Sequence, residues 1–344
     1  MSWNDTPLAR RLGLRLPIIQ APMAGGCSTP RLAAAVSAAG GLGSLAGAML
    51  RPDDLRAEIA EVRSLTDRPF AVNLFAPLPP PSGERVAEWA RLTGVAPPQL
   101  PPAIPFDEQL AVVVAERVPV FSFTFGSPVV EGVEAITIGT ATSVAEAVAL
   151  ERAGVDAVVA QGYEAGGHRG AFLGPADRSL VGTLALVPQV VDAVSIPVIA
   201  AGGIMDGRGI AAALALGAQA VQMGTAFLRC PEAGTSPAHR QALSEETTVT
   251  SVLTGRHARA VRTALVDRLE ASGLQPPDYP LPRFLLPEAP MLAGQGGPLA
   301  RLLPAADLVA TLAIETEQAL ARIGASVDHE LSGRDTPPTG TFSS

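Results

Sequence analysis

The run Gln161-Gly-Tyr-Glu-Ala-Gly-Gly-His168-Arg-Gly170 sets one imidazole among four glycines. An imidazole titrates near neutral pH, so it can move a proton or stabilise an anion. Glycine lets the backbone turn sharply and approach a ligand closely. The bland reading is a glycine-rich turn with an incidental histidine. The position of His168 just past a predicted strand end favours a catalytic role. Two further runs suit an anion. Ala200-Ala-Gly202-Gly203-Ile204 and Gln222-Met-Gly224-Thr225 each end a short apolar stretch. Backbone N–H groups at Gly202, Gly203 and Gly224 could surround a phosphate without a Cβ in the way, and Thr225 adds a hydroxyl donor. A pair of ordinary turns is the competing reading. Gln20-Ala-Pro22-Met23-Ala24 and Asn73 supply main-chain and amide groups able to meet the edge of a flat heterocycle.

These residues need elements to position them. Apolar runs rich in Val, Ile and Ala alternate with helical stretches, the pattern of βαβ units around a parallel sheet. Eight strands are predicted: Pro17–Ala21, Gly41–Leu45, Phe70–Leu74, Val120–Thr124, Ala135–Gly139, Ala157–Gln161, Pro197–Ala201 and Ala220–Gly224. The clearest helices are Pro30–Ala39, Pro52–Leu65, Asp107–Glu116, Ser143–Ala153, Thr183–Ala193 and Gly209–Leu216. Ser143 with Glu146 reads as a capping box. The fold expected is α/β, a (β/α)8 TIM barrel, with an open doubly wound sheet as the alternative. In a barrel the histidine run follows the sixth strand, and the two glycine turns follow the seventh and eighth, where phosphate sites form.

The expected organisation is a barrel core over 1–226, a small helical or irregular subdomain over 227–290, a segment packing back over 291–323 and a flexible tail over 324–344. The stretch 76–106 carries nine prolines and reads as a long loop over the site.

Composition narrows the chemistry. The 344-residue chain is 47% hydrophobic, which provides a large core, and has a net charge of −8 with no basic cluster, so nucleic acid is not an expected partner. It contains no lysine, which excludes Schiff-base aldolases and pyridoxal phosphate enzymes. Cys27 and Cys230 form neither a disulfide framework nor a metal site. His239, His257 and His329 lie in polar segments and are expected to be solvated. Gly41-x-Gly43-x-x-Ala46 imitates a dinucleotide fingerprint, but a helix precedes it where a strand should. No signal peptide or membrane span is read, and a cytoplasmic monomer or homodimer is expected.

Together, Gln20–Gly25, Asn73, Gln161–Gly170, Ala200–Ile204 and Gln222–Thr225 resemble the nitronate monooxygenases, formerly 2-nitropropane dioxygenases. The resemblance runs from about Leu12 to Leu312 and includes Leu253-Thr-Gly-Arg-His-Ala-Arg259 and Ala293-Gly-Gln-Gly296. It implies FMN on a barrel, held by Pro22, Met23, Ala24, Asn73, Gln161, Gly166, Gly167, Gly202, Gly203, Gln222, Gly224 and Thr225. It also implies oxidation of an alkyl nitronate by O₂ to a carbonyl compound and nitrite. His168 would either pair with the nitronate as a cation or, if neutral, remove the α-proton of a nitroalkane. Family members place aromatic residues before the Ala-Gly-Gln run. Pro290-Met-Leu292 stand there here, and Tyr163 and Tyr279 are the only tyrosines. A more apolar, larger pocket is therefore expected than one for the usual substrate, propionate 3-nitronate. FMN-dependent enoyl-acyl-carrier-protein reductases and NADH:quinone reductases are the alternative enzymes, and an inactive flavin-binding protein is the non-enzymatic one.

Overall fold

A computed structural model describes residues 2–99, 104–128, 130 and 132–332. Eight parallel strands form the barrel: β1 (Ile18–Gln20), β2 (Gly43–Ala46), β3 (Phe70–Phe75), β4 (Val120–Thr124), β5 (Ile136–Ala141), β6 (Ala157–Gln161), β8 (Val198–Ala201) and β9 (Ala220–Met223). Each pairs with its neighbour in chain order, and β1 pairs with β9 at the other edge. A bridge between Ile19 and Leu42 joins the first two strands and closes the ring. All eight predicted strands are present, with ends shifted by at most two residues.

The two-residue period of a strand divides its side chains between two environments. Outward-facing Ile18, Leu45, Val72, Leu74, Phe121, Phe123, Val158 and Val221 pack beneath the surrounding helices. Inward-facing Ile19, Ala71, Val120, Ile138, Val159 and Ile199 fill the lower barrel. Leu8 and Leu12 of the helix Pro7–Leu12 join that cluster. Higher up, the inward positions become polar: Asn73, Ser122, Thr124, Thr140, Gln161 and Gln222 line a cavity. The change from apolar to polar occurs within single strands and builds a floor at their C-terminal ends.

The Gly41–Ala46 stretch has a packing role. A Cβ at Gly43 would lie 1.9 Å from the carbonyl oxygen of Ala33, so only glycine lets the helix Pro30–Ala38 rest on β2. Ser143 caps its helix as predicted, accepting from Glu146 N–H. The other half of the box is absent. The buried Glu146 carboxylate instead accepts from Thr142 N–H and hydroxyl, and from Phe172 and Leu173 N–H. It thereby anchors the segment that follows His168.

A second sheet, β10 (Thr247–Thr250), β11 (Ala258–Val261) and β7 (Gly167–His168), is antiparallel. The region expected to be helical or irregular therefore supplies two strands. The 76–106 stretch is not wholly loop: it contains the helix Val86–Thr93, while 100–103 lie outside the described residues. Trp89 and Ala90 pack with Val252, Leu253, Ala260, Leu269 and Leu285. Ser82 adds hydrogen bonds of 2.9 and 2.7 Å to the Asp278 carboxylate. The closing helix runs Ala305–Ser332, beyond the predicted end at 323, so the first part of the expected tail is helical. Residues 333–344 lie outside the described residues. Among the described residues, no helix is long and apolar enough to cross a membrane.

Candidate active site

The cavity over the strand ends has a volume of about 350 Å³. Every residue of the predicted cofactor set, together with His168, lines it. The first loop is shaped from below. Gln20, wholly buried, donates from Nε2 to Ser28 Oγ at 2.9 Å and accepts from Ser44 N–H. Ser28 then accepts from Met23 N–H and donates its own N–H to Met23 O. The Met23 N–H expected to meet a heterocycle is thus used inside its own loop, and its side chain faces the cavity.

The rim after the last two barrel strands fits an anion. Among the described residues, none accepts from Gly203 or Gly224 N–H. Gly203 has a φ of 71°, where an L side chain is strained. Thr225 Oγ1 accepts from Gly294 N–H at 2.9 Å, which leaves its own hydrogen free to donate. A Cβ at Gly166 would lie 2.4 Å from Gly294 N, so glycine there admits the Ala293–Gly296 run over the rim.

His168 is held more firmly than a turn would hold it. Its main chain pairs with Ala258 in the β7–β11 ladder. Gln161 Nε2 donates to its carbonyl at 3.0 Å, and Gln161 Oε1 accepts from Gly170 N–H at 2.8 Å. The Gln161 amide thus clamps this segment from below, a different task from the ligand contact expected of it. Two buried arginines, missed in the sequence, hold the same segment. Arg169 donates to the carbonyls of Gln161, Gly162 and Ser179. Arg259 donates to Tyr163 O and Thr247 Oγ1, and lies 4.4 Å from the Tyr163 ring centre. The signal available was Arg169 directly after His168 and Arg259 at the end of the Leu253–Arg259 run, in a chain with few charges.

The surroundings of His168 are both aromatic and cationic. The rings of Tyr279, Phe125 and Phe75 present edges at centroid distances of 5.4, 5.7 and 6.5 Å. Arg256 stacks on Phe125 at 4.2 Å, and Arg283 lines the cavity. Neither arginine has a carboxylate partner among the described residues. Burial, then the charges of Arg256 and Arg283, push the His168 pKa down to about 4. The imidazole is therefore neutral at pH 7. Glu164 also faces the cavity, but its carboxylate is bonded to Thr183 N–H and hydroxyl at the start of the helix Thr183–Ala193. Tyr279 and Arg283 add a ring and a charge to the pocket, and they come from a segment too far along the chain for spacing to connect with His168.

His239 is not solvated as expected. It is buried, lines the cavity and hydrogen-bonds through Nε2 to Leu292 O at 3.0 Å. His257 is partly buried, and the side chain of His329 lies outside the described residues. Cys27 packs against the barrel core and also lines the cavity, and burial raises its thiol pKa. Among the described residues, no group of His, Cys, Asp and Glu is arranged to hold a metal.

Comparison with known proteins agrees with this geometry. Residues 10–315 match the nitronate monooxygenase family. A protein of Staphylococcus saprophyticus named probable nitronate monooxygenase is 44% identical over 80% of this chain and 84% of its own. A Staphylococcus aureus protein of the same name is 42% identical over 81% and 84%. Among solved structures, a nitroalkane oxidase from Streptomyces ansochromogenes superposes with a TM-score of 0.85 at 40% identity, covering 92% of this chain and 99% of that one. FabK from Thermotoga maritima gives 0.73 at 32%, covering 93% and 99%. With its barrel, its strand-end cavity and these relatives, the chain belongs to the nitronate monooxygenase family of oxidoreductases.

Proposed function

We propose that the cavity takes FMN and an alkyl nitronate, and that the chain oxidises the nitronate with O₂ to a carbonyl compound and nitrite. The observation that carries this reading is that one cavity joins the glycine rim of β8 and β9 to His168 and Arg283. FMN bound there would supply the electron acceptor for the nitronate and the donor to O₂.

The residues present fit that group. The N–H groups of Gly203 and Gly224 and the Thr225 hydroxyl would hold its phosphate. Met23, Ala24, Pro22 and Asn73 would lie against its ring system, with Gly166, Gly167, Gly202 and Gln222 completing the walls. Asn73 Nδ2 is bonded to Ser122 Oγ at 3.0 Å, which fixes the amide and leaves its oxygen to accept. Arg283 would carry the charge of the nitronate, since it meets no carboxylate among the described residues. Neutral His168 would face the substrate carbon. The resting ring is neutral, the form that can accept a proton, and the anion formed on the substrate as the proton is taken would offset the new positive charge beside Arg256 and Arg283.

The test is the absorption spectrum of the purified protein, recorded anaerobically with a nitronate or with NADH, and then in air. Expected are a bound flavin bleached by the nitronate and not by NADH, and nitrite on aeration. Rapid bleaching by NADH with none by the nitronate would replace this reading with that of a nicotinamide-dependent reductase.

A further inference from the structure

The run Leu253–Arg259 supplies none of the cofactor contacts assigned above, yet it reaches His168. Thr254 is buried and lines the cavity. Its hydroxyl oxygen lies 3.0 Å from His168 Nε2 and 3.0 Å from the carbonyl oxygen of Arg256. The N–H of Arg256 points back at the same oxygen from 3.4 Å. A hydroxyl has one hydrogen to give and two lone pairs to receive with. A carbonyl oxygen only accepts, so the Thr254 hydrogen goes to Arg256 O. The remaining lone pairs receive Arg256 N–H and the imidazole. An Nε2 without a hydrogen would set one lone pair against another.

We infer that Thr254 is a positioning residue that holds His168 in the Nε2–H tautomer and leaves the Nδ1 lone pair as the proton acceptor. The ladder to Ala258 and the bond from Gln161 fix the main chain of His168, and three aromatic edges confine its ring. The position of the proton is then set by Thr254 alone. This deepens the proposed function and rests on His168 facing the substrate. With a neutral nitroalkane, the Cα proton moves to Nδ1. The electron pair of that C–H bond becomes the C=N π bond of the nitronate, and the charge passes to the nitro oxygens. His168 becomes an imidazolium and keeps its Nε2–H bond to Thr254. A pre-formed nitronate needs no such transfer, so Thr254 matters for the first substrate and not for the second.

The tautomer can be read directly by two-bond ¹H–¹⁵N correlation in the purified, ¹⁵N-histidine-labelled protein at pH 7. The chain has four histidines, and His168→Asn identifies the signals of the one at issue. Expected in the wild type is a protonated Nε2 and an unprotonated Nδ1. Thr254→Val should shift the population towards Nδ1–H, and Thr254→Ser should retain the wild-type pattern. Thr254→Val should also lower kcat/KM for nitroethane about ten-fold more than for ethyl nitronate, as expected for a weakened general base. An Nδ1–H wild type, an unchanged tautomer in Thr254→Val, or equal losses on the two substrates would each overturn the inference. If Thr254→Val does not fold, the wild type and Thr254→Ser decide, since Nδ1–H in either overturns it. A protein with the Nε2–H pattern that turns over neither substrate would refute the proposed function and leave the tautomer assignment standing.

Discussion

The barrel strands and the segment 247–292 reach the same cavity by different routes. Each barrel strand alternates between a core-facing and a cavity-facing side, so its functional groups sit beside residues that fold it. Asn73 lies between the buried Val72 and Leu74, and Gln161 follows the buried Ala160. The later segment has no such frame of its own. It brings Thr254, Tyr279 and Arg283 to the cavity by pairing β11 with β7 and by burying Leu253, Ala260 and Leu285 against Trp89. On the proposed reading, the barrel binds the cofactor and carries the histidine, while the added segment adds to the effect of burial on the histidine's pKa, fixes its tautomer and supplies the cation that meets the substrate. Mutations in the two regions should therefore fail in different ways.

The largest expected effect lies where the regions meet. His168→Ala should lower kcat with a nitroalkane by about 10²–10⁴-fold, the range for loss of a general base, with the flavin retained. Turnover within a few-fold of wild type would remove His168 from the chemistry. A barrel-side change should do the opposite. Gly203→Phe places a ring in the space assigned to the phosphate, at a φ of 71° that already strains any side chain. Flavin occupancy, read from the ratio of visible to protein absorbance, should fall by about ten-fold or more, the equivalent of roughly 1.4 kcal/mol in binding. Full occupancy would show that the phosphate lies elsewhere.

Changes in the added segment should leave the flavin in place. Arg283→Met keeps much of the side-chain length and removes a charge that meets no carboxylate among the described residues. KM for a nitronate should rise about ten-fold or more with smaller change in kcat, as when an interaction made equally in ground and transition states is lost. An unchanged KM would mean that another group carries the anion. Arg259→Met tests how the two regions are joined. The Tyr163 carbonyl would lose its donor in a site where Arg259 is 2% exposed. Urea unfolding should show a loss of about 1–3 kcal/mol, the usual cost of an unsatisfied buried group.

The same contrast explains what could be read from the sequence. Strand periodicity and glycine turns are local signals, and they located the barrel, the rim and His168. The partners of His168 are separated from it in sequence by 86 residues in the case of Thr254. Nothing local marks Tyr279 or Arg283 as its neighbours. The buried state of His239 was illegible for a related reason, because its partner is a backbone carbonyl at Leu292, which any residue type would supply. Glu146 shows how a correct local rule can be overridden. Its spacing from Ser143 suits a capping box, but four donors from Thr142, Phe172 and Leu173 compete for its carboxylate and win.

The smallest expected effect concerns stability against pH, and it separates the two regions at one residue. The folded pKa of His168, about 4, lies below its ordinary value of 6.5. As pH falls from 6.5 towards 4, the unfolded chain binds a proton that the native state refuses. The contribution of His168 is therefore fully present above the ordinary value and is lost as pH falls. One proton sets a maximum slope of about 1.4 kcal/mol per pH unit. The depressed carboxyls of Asp156 and Asp206 titrate lower, and their contribution is common to all the variants compared. His168→Asn should lose less stability than wild type between pH 7 and pH 5 in urea melts. Arg283→Met should behave in between, because removing one of the two cations lets the native imidazole accept its proton at higher pH. A wild-type slope in Arg283→Met, with His168→Asn distinct, would mean that the added segment does not set the charge of His168 and that burial alone determines it; identical slopes for all three would mean that the pKa of His168 is not depressed.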